Sequence, residues 1–157
     1  MTEVRARMGM LAGGIAAATT GGALLRIGLR GGDAALPFNA IAGYALGAIT
    51  SSPRFHAAVT VVGVVIHLMV LTTAGLAAES LSARWRLGVP LSAVIVSSAL
   101  LSLSLATARF AGAGLAAALP VGDLIVIHIA IALGLVGGMG FARFIQRDPG
   151  GGGSDRM

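Results

Sequence analysis

Apolar residues gather into four long blocks along this chain, at residues 8–29, 57–78, 87–108 and 124–144, each bounded by charged or turn-forming residues. A helix rises about 1.5 Å per residue, so blocks of this length cross a hydrocarbon core about 30 Å thick. Within the blocks the apolar run does not alternate with polar positions, as the strands of a transmembrane barrel would. The pattern predicts an all-α integral membrane bundle of four transmembrane helices.

A fifth apolar stretch, residues 38–50, follows Gly31, Gly32, Asp33 and Pro37. As a helix it would reach only about 20 Å, so it is expected to be interfacial or re-entrant. Pro37 suits a first helical turn. Phe38, Ile41, Ala45 and Ile49 recur at helical spacing, with Asn39, Gly43 and Gly47 as a smaller, more polar stripe. The first block offers Ala16, Ala17 and Ala18 where a secretory leader would be cleaved, but only about eight apolar residues precede them, and it reads as a span. Residues 1–148 then make one transmembrane domain, and the Gly-rich residues 149–157 a disordered tail that resembles a synthetic linker.

Composition agrees with the pattern: 56% of positions are hydrophobic and 11% charged, where a soluble domain carries about 25% charged residues. The chain has no cysteine, which excludes disulfides and thiolate-held iron–sulfur centres. A net charge of +5 does not point to nucleic acid, because the arginines stand singly or in pairs at block ends and aromatics are only 4%. Such end charges report topology, since cytoplasmic flanks carry the excess of arginine. Four spans with both termini inside place Arg5, Arg7, Arg84, Arg86, Arg143, Arg147 and Arg156 in the cytoplasm, against Arg26, Arg30, Arg54 and Arg109 outside. Five spans score equally, so the shortness of residues 38–50 decides for four.

Candidate chemistry is sparse. On the second span, His56, Thr60, Gly63, His67, Ala74 and Ala78 share one face, opposite Val62, Val65, Met69 and Leu76. Lipid tails solvate the bulky face, whereas an unpaired imidazole in hydrocarbon is costly, so the histidine face is expected to point into the bundle. His67 and His128, on the fourth span, would lie at similar depths and face one cavity in the outer half. Neutral imidazoles there can ligate haem b or a metal, relay protons or bond a quinone; the commoner role is packing against a hydroxyl or carbonyl of a neighbouring helix. Asp123 precedes an apolar run as an N-cap would, with pairing to Arg109 or Arg26 as the alternative. Glu79 is expected to close the second span in a solvated pair with Arg84 or Arg86. Ser92, Ser97, Ser98, Ser102, Ser104 and Thr107 on the third span point in several directions, which favours packing over a conduction path.

Small residues dominate two spans. Gly13, Ala17 and Gly21, with Gly14, Ala18 and Gly22 alongside, stripe the first, and Ala130, Gly134 and Gly138 the fourth. They allow close backbone approach, either between these two spans or, through Gly13, Gly21, Gly134 and Gly138, to a second copy or a membrane-protein partner. The segment from Ala16 to Gly47, with AATTGGALLRIGLRGG and then LPFNAIAGYALG, resembles small polytopic bacterial inner-membrane proteins with a Gly-Thr-rich first helix and a Pro-Phe-Asn lead-in to a short helix. The resemblance implies no activity, cofactor or site residue; the use of arginine alone as the basic residue fits a GC-rich bacterial genome. The leading expectation is a non-enzymatic accessory or assembly protein of the bacterial inner membrane. The alternatives are a haem-, metal- or quinone-binding electron-transfer subunit using His67 and His128, and a small transporter or channel.

Overall fold

The computed structural model describes residues 2–46 and 57–147, all of it helix and connecting turns. Among the described residues six helices follow in order: α1 Glu3–Arg30, α2 Leu36–Leu46, α3 Ala57–Arg84, α4 Val89–Ala111, α5 Leu115–Ala118 and α6 Val121–Arg147. Four of them, α1, α3, α4 and α6, are long and apolar enough to cross a membrane. Each outruns its apolar block by several residues at one or both ends, because a helix continues into the polar interface until a turn stops it. Gly112, left-handed with φ 60°, stops α4. His56 and residues 47–50 of the short stretch lie outside the described residues, as do Arg54, Arg156 and the Gly-rich tail.

The least apolar span, α1, lies at the centre. Its stripe of Gly9, Ala12, Gly13, Ala16, Ala17 and Thr20 is buried between α3 and α6. Small residues weaken the hydropathy signal but suit the middle of a bundle, where close backbone packing replaces the hydrophobic effect. Gly75 of α3 sits against the backbone of Gly9 and Gly13, and a methyl added at Gly13 would strike Leu71 and Thr72. On the other side, Gly138 lies on Ala12 and Gly134 on Ala16. Of the two uses open to these stripes, Gly13, Gly134 and Gly138 are spent inside the chain. Gly14, Gly22, Gly137 and Gly140 have nothing within 4 Å.

These contacts run antiparallel: rising numbers on α1 meet falling numbers on α3 and on α6. With the short turn between α3 and α4, the spans alternate in direction. Arg5, Arg7, Arg84, Arg86 and Arg143 therefore share one end of the bundle, and Arg26, Arg30 and Arg109 the other, where α2 and α5 lie. α2 does not cross; its Pro37, Asn39, Ile41 and Ala42 are buried, and it packs on α3 where Gly63 admits the Phe38 carbonyl.

The second-span faces fall as the periodicity predicts for Gly63, His67, Ala74 and Ala78, which are buried, and for Val65 and Met69, which are exposed. Leu76 departs from it by packing on Gly9, which leaves room for it.

Two electrostatic expectations are corrected. Asp123 is not the N-cap of α6: the Pro120 carbonyl accepts from the amides of Asp123 and Leu124, so the helix starts at Val121, three residues earlier than a cap at Asp123 would have it. Asp123 stands in the first turn, where a carboxylate meets the positive end of the helix dipole, and its partner is Arg30 at 2.5 Å, not Arg109 or Arg26. Glu79 is not solvated. α3 runs on to Arg84, which carries Glu79 onto the inner face, 3% exposed, where it pairs with Arg143 of α6 at 3.5 Å.

Candidate intramembrane binding site

His67 and His128 line the same cavity. It encloses about 370 Å³ between α3, α4 and α6, bounded by Leu24 of α1, Ile41 and Tyr44 of α2, and Leu115 of α5. His67 lies ten residues into α3 and His128 seven residues into α6. Both helices start at the same end of the bundle, so the two rings sit about 15 and 10 Å deep. Apart from the two imidazoles, Tyr44, Ser104 and Thr107, the walls are leucine, isoleucine and valine.

Each ring is held through one nitrogen. His67 Nε2 is 3.1 Å from the Ala17 carbonyl and 3.3 Å from Thr20 Oγ1. A carbonyl only accepts, so Nε2 carries the hydrogen; the Thr20 hydroxyl in turn donates to the Ala16 carbonyl at 2.5 Å. The Phe38 ring meets His67 edge-on, with centroids 6.1 Å apart. His128 Nδ1 donates to the Leu124 carbonyl one turn back, at 2.7 Å. These bonds are the packing role expected of intramembrane histidines, and they account for half of each ring.

The other half is unclaimed. His67 Nδ1 and His128 Nε2 have no hydrogen-bond partner among the described residues. Neither is sealed off: the one side-chain polar atom both buried and unpartnered among those residues is Asp33 Oδ2. In its neutral form each ring therefore offers a lone pair to open space beside a cavity that both line.

Neighbouring hydroxyls fix the frame. Ser97 of α4 donates to the His128 carbonyl at 2.7 Å, tying α4 to α6 at the level of the site. Tyr44 pairs with Ser104 at 3.0 Å and accepts from the Leu115 amide at 3.3 Å, so one phenol joins α2, α4 and α5 over the cavity. Its ring lies on Gly114, where φ is 89° and any side chain would collide with it. Ser98 and Ser102 are exposed, and the hydroxyls of Ser102 and Thr107 bond to their own helix.

The cavity reaches the lipid-facing surface. Val70 of α3 is 41% exposed and Leu103 of α4 60% exposed, and both also line the cavity. Tyr44 of α2, 39% exposed, lines it as well.

That His67 and His128 would line one cavity was legible from the helical phase of His67 and the depths of both. Tyr44 was not singled out, and Ser104 was read only as one of several packing hydroxyls; the available signal was the heptad spacing of Ser97 and Ser104, which puts both on one helix face. Among the described residues no three His, Cys, Asp or Glu side chains gather as a metal site would need. A haem fits poorly at His67, because the free nitrogen is Nδ1, beside the side-chain stem, and a macrocycle bound there would press on the α3 backbone. No family model, no curated protein and no solved structure matches the chain.

Proposed function

We propose that this is a small, non-enzymatic, multi-pass membrane protein that binds an apolar molecule inside its bundle. The observation that carries the reading is the pair of His67 and His128 on one lipid-facing cavity, each with a ring nitrogen left free. Intramembrane polar groups are costly, and apolar clefts with a few convergent polar groups are the usual form of ligand sites. The apolar walls speak against an ion or water path. The chain belongs in a bacterial inner membrane, by its arginine usage, with the end that carries Arg5, Arg84, Arg86 and Arg143 in the cytoplasm.

The test is photolabelling in lipid nanodiscs with a diazirine-bearing long-chain hydrocarbon. Adducts concentrated at Ile66, Val70, Leu100 and Leu103, and lost in a cavity-filling Leu100→Trp variant, support the reading. Adducts spread evenly over exposed positions such as Leu133 and Phe141 overturn it.

Assembly with a second copy or another membrane protein is the second reading. Its surface moves from Gly13, Gly134 and Gly138, which are covered, to the open stripe of Gly14, Ala18 and Gly22 on α1. Crosslinks through a cysteine at Ala18, and none through one at Leu135, are expected if it holds.

A further inference from the structure

The cavity's polar groups select the chemistry of what it binds. Resting on the reading that a small apolar molecule occupies this cavity, we propose that the molecule is a lipid-soluble hydroxyl compound, an isoprenoid-type alcohol that donates its one hydrogen bond to His67 Nδ1 or His128 Nε2, or a hydroquinone that has a hydroxyl for each.

Three observations converge. First, backbone carbonyls fix both tautomers: Ala17 takes the hydrogen on His67 Nε2, and Leu124 takes the one on His128 Nδ1. Neither carbonyl can donate, so the opposite tautomers would set lone pair against lone pair. The nitrogen left without a partner on each ring is then an acceptor, on a residue that lines the cavity. A ligand with acceptors alone, such as a quinone or an ester, gains nothing from either imidazole; a hydroxyl completes the bond that protein packing left unmade.

Second, among the described residues the hydroxyls lining the cavity leave fewer donors than the rings leave acceptors. The Thr107 hydroxyl donates to the backbone of its own helix, to Leu103 at 3.0 Å and to Ser104 at 2.9 Å. Tyr44 and Ser104 are engaged with each other at 3.0 Å. That pair holds a single remaining hydroxyl hydrogen, against two imidazole lone pairs.

Third, the route is through lipid. Val70 and Leu103 line the cavity and are exposed on the apolar belt, which gives a ligand an entry from the hydrocarbon already stripped of water. A hydroxyl arriving that way has no competing water partner, and a neutral bond is worth about a tenfold change in affinity.

The test is displacement of the hydrocarbon photolabel from nanodisc-embedded protein by five competitors: a decyl hydroquinone, its dimethyl ether, the matching quinone, farnesol and farnesyl methyl ether. Hydroxyl compounds are expected to displace the label at about tenfold lower concentration than their ethers or the quinone. Whichever of hydroquinone and farnesol shows the larger advantage over its own ether identifies the source. The advantage falls to near unity when His67→Phe and His128→Phe are combined, and a single variant lowers it for an alcohol only where it removes the ring that the alcohol uses; a merely structural role would move stability and leave the ratio intact.

Nitrogen-15 spectra of the histidines give a second readout. They should show hydrogen on His67 Nε2 and His128 Nδ1, with the bare nitrogens shifting as hydroquinone or farnesol is added. Equal displacement by hydroxyl compounds and ethers, or the opposite tautomers, overturns the proposal while leaving the binding site in place. Unlocalised photolabelling overturns both.

Discussion

Arg143 reaches across from α6 to the buried carboxylate of Glu79 on α3, Nη2 to Oε2 at 3.5 Å, while the same nitrogen donates to the Ser82 hydroxyl at 2.9 Å. Ser82 passes the constraint on by donating to the Leu87 carbonyl at 3.0 Å, which fixes the turn into α4. Three spans are thereby joined at the end of the bundle opposite the cavity. Arg143→Ala strands a carboxylate that is only 4% exposed, a loss of about 3 kcal/mol. Adding Glu79→Gln should recover most of it, because no charge is then left unpaired. Reversible unfolding in bicelles measures both, and an equal loss in the single and double variants would show that the two residues are not coupled.

Gly134 and Gly138 should tolerate nothing larger than hydrogen. An added Cβ would meet Ala16 Cα and Ala12 Cα, each at 2.6 Å, and backbone cannot step aside as a flexible side chain can. Gly134→Val and Gly138→Val are expected to cost about 1–3 kcal/mol each by forcing α1 and α6 apart. Gly137→Val and Gly140→Val, on the open side, should change thermal stability little. A reversed ranking would mean that α1 and α6 do not cross here.

Gly63 decides whether α2 docks. The Phe38 carbonyl occupies the space a side chain would take, and the adjacent Thr60 hydroxyl donates to Asn39 at 2.8 Å. Gly63→Leu should release α2 and separate Phe38 from His67, with much smaller losses in the four spans. Accelerated hydrogen exchange confined to residues 36–46 is the expected signature; unchanged protection there would count against it.

Exchanging Arg30 or Asp123 should matter little. The pair is short, at 2.5 Å, but Arg30 is 69% exposed at the bundle end. Solvent-screened pairs of this kind contribute about 0–1 kcal/mol. Arg30→Gln is expected to lower stability by less than about 1 kcal/mol, and a loss comparable to that of Arg143→Ala would contradict this ranking of the two ion pairs.

Because the chain has no cysteine, single introduced ones report topology cleanly. Thr2→Cys, Trp85→Cys and Gln146→Cys should label from the same side of an inverted vesicle, and Ala116→Cys from the other. Labelling of Trp85→Cys together with Ala116→Cys would refute the alternating arrangement.

The sequence by itself determined the spanning helices, because block length and continuity depend on the solvent, and a bilayer demands about 20 apolar residues wherever a helix crosses it. It also determined the inner face of α3, since helical phase places Gly63, His67, Ala74 and Ala78 together whatever surrounds them. Tertiary structure decided the partners. A stripe of glycines states that something approaches closely, not what; only the packed bundle assigns Gly13 and Gly75 to each other, and Gly134 to Ala16. Glu79 was misplaced because its helix outran the apolar block, and where a helix stops depends on turns outside it. The tautomers of His67 and His128 rest on which carbonyl each ring meets, Ala17 from another helix and Leu124 from its own. The sequence carried the histidines to similar depths, and the fold set which nitrogen of each imidazole is bonded and which is left over.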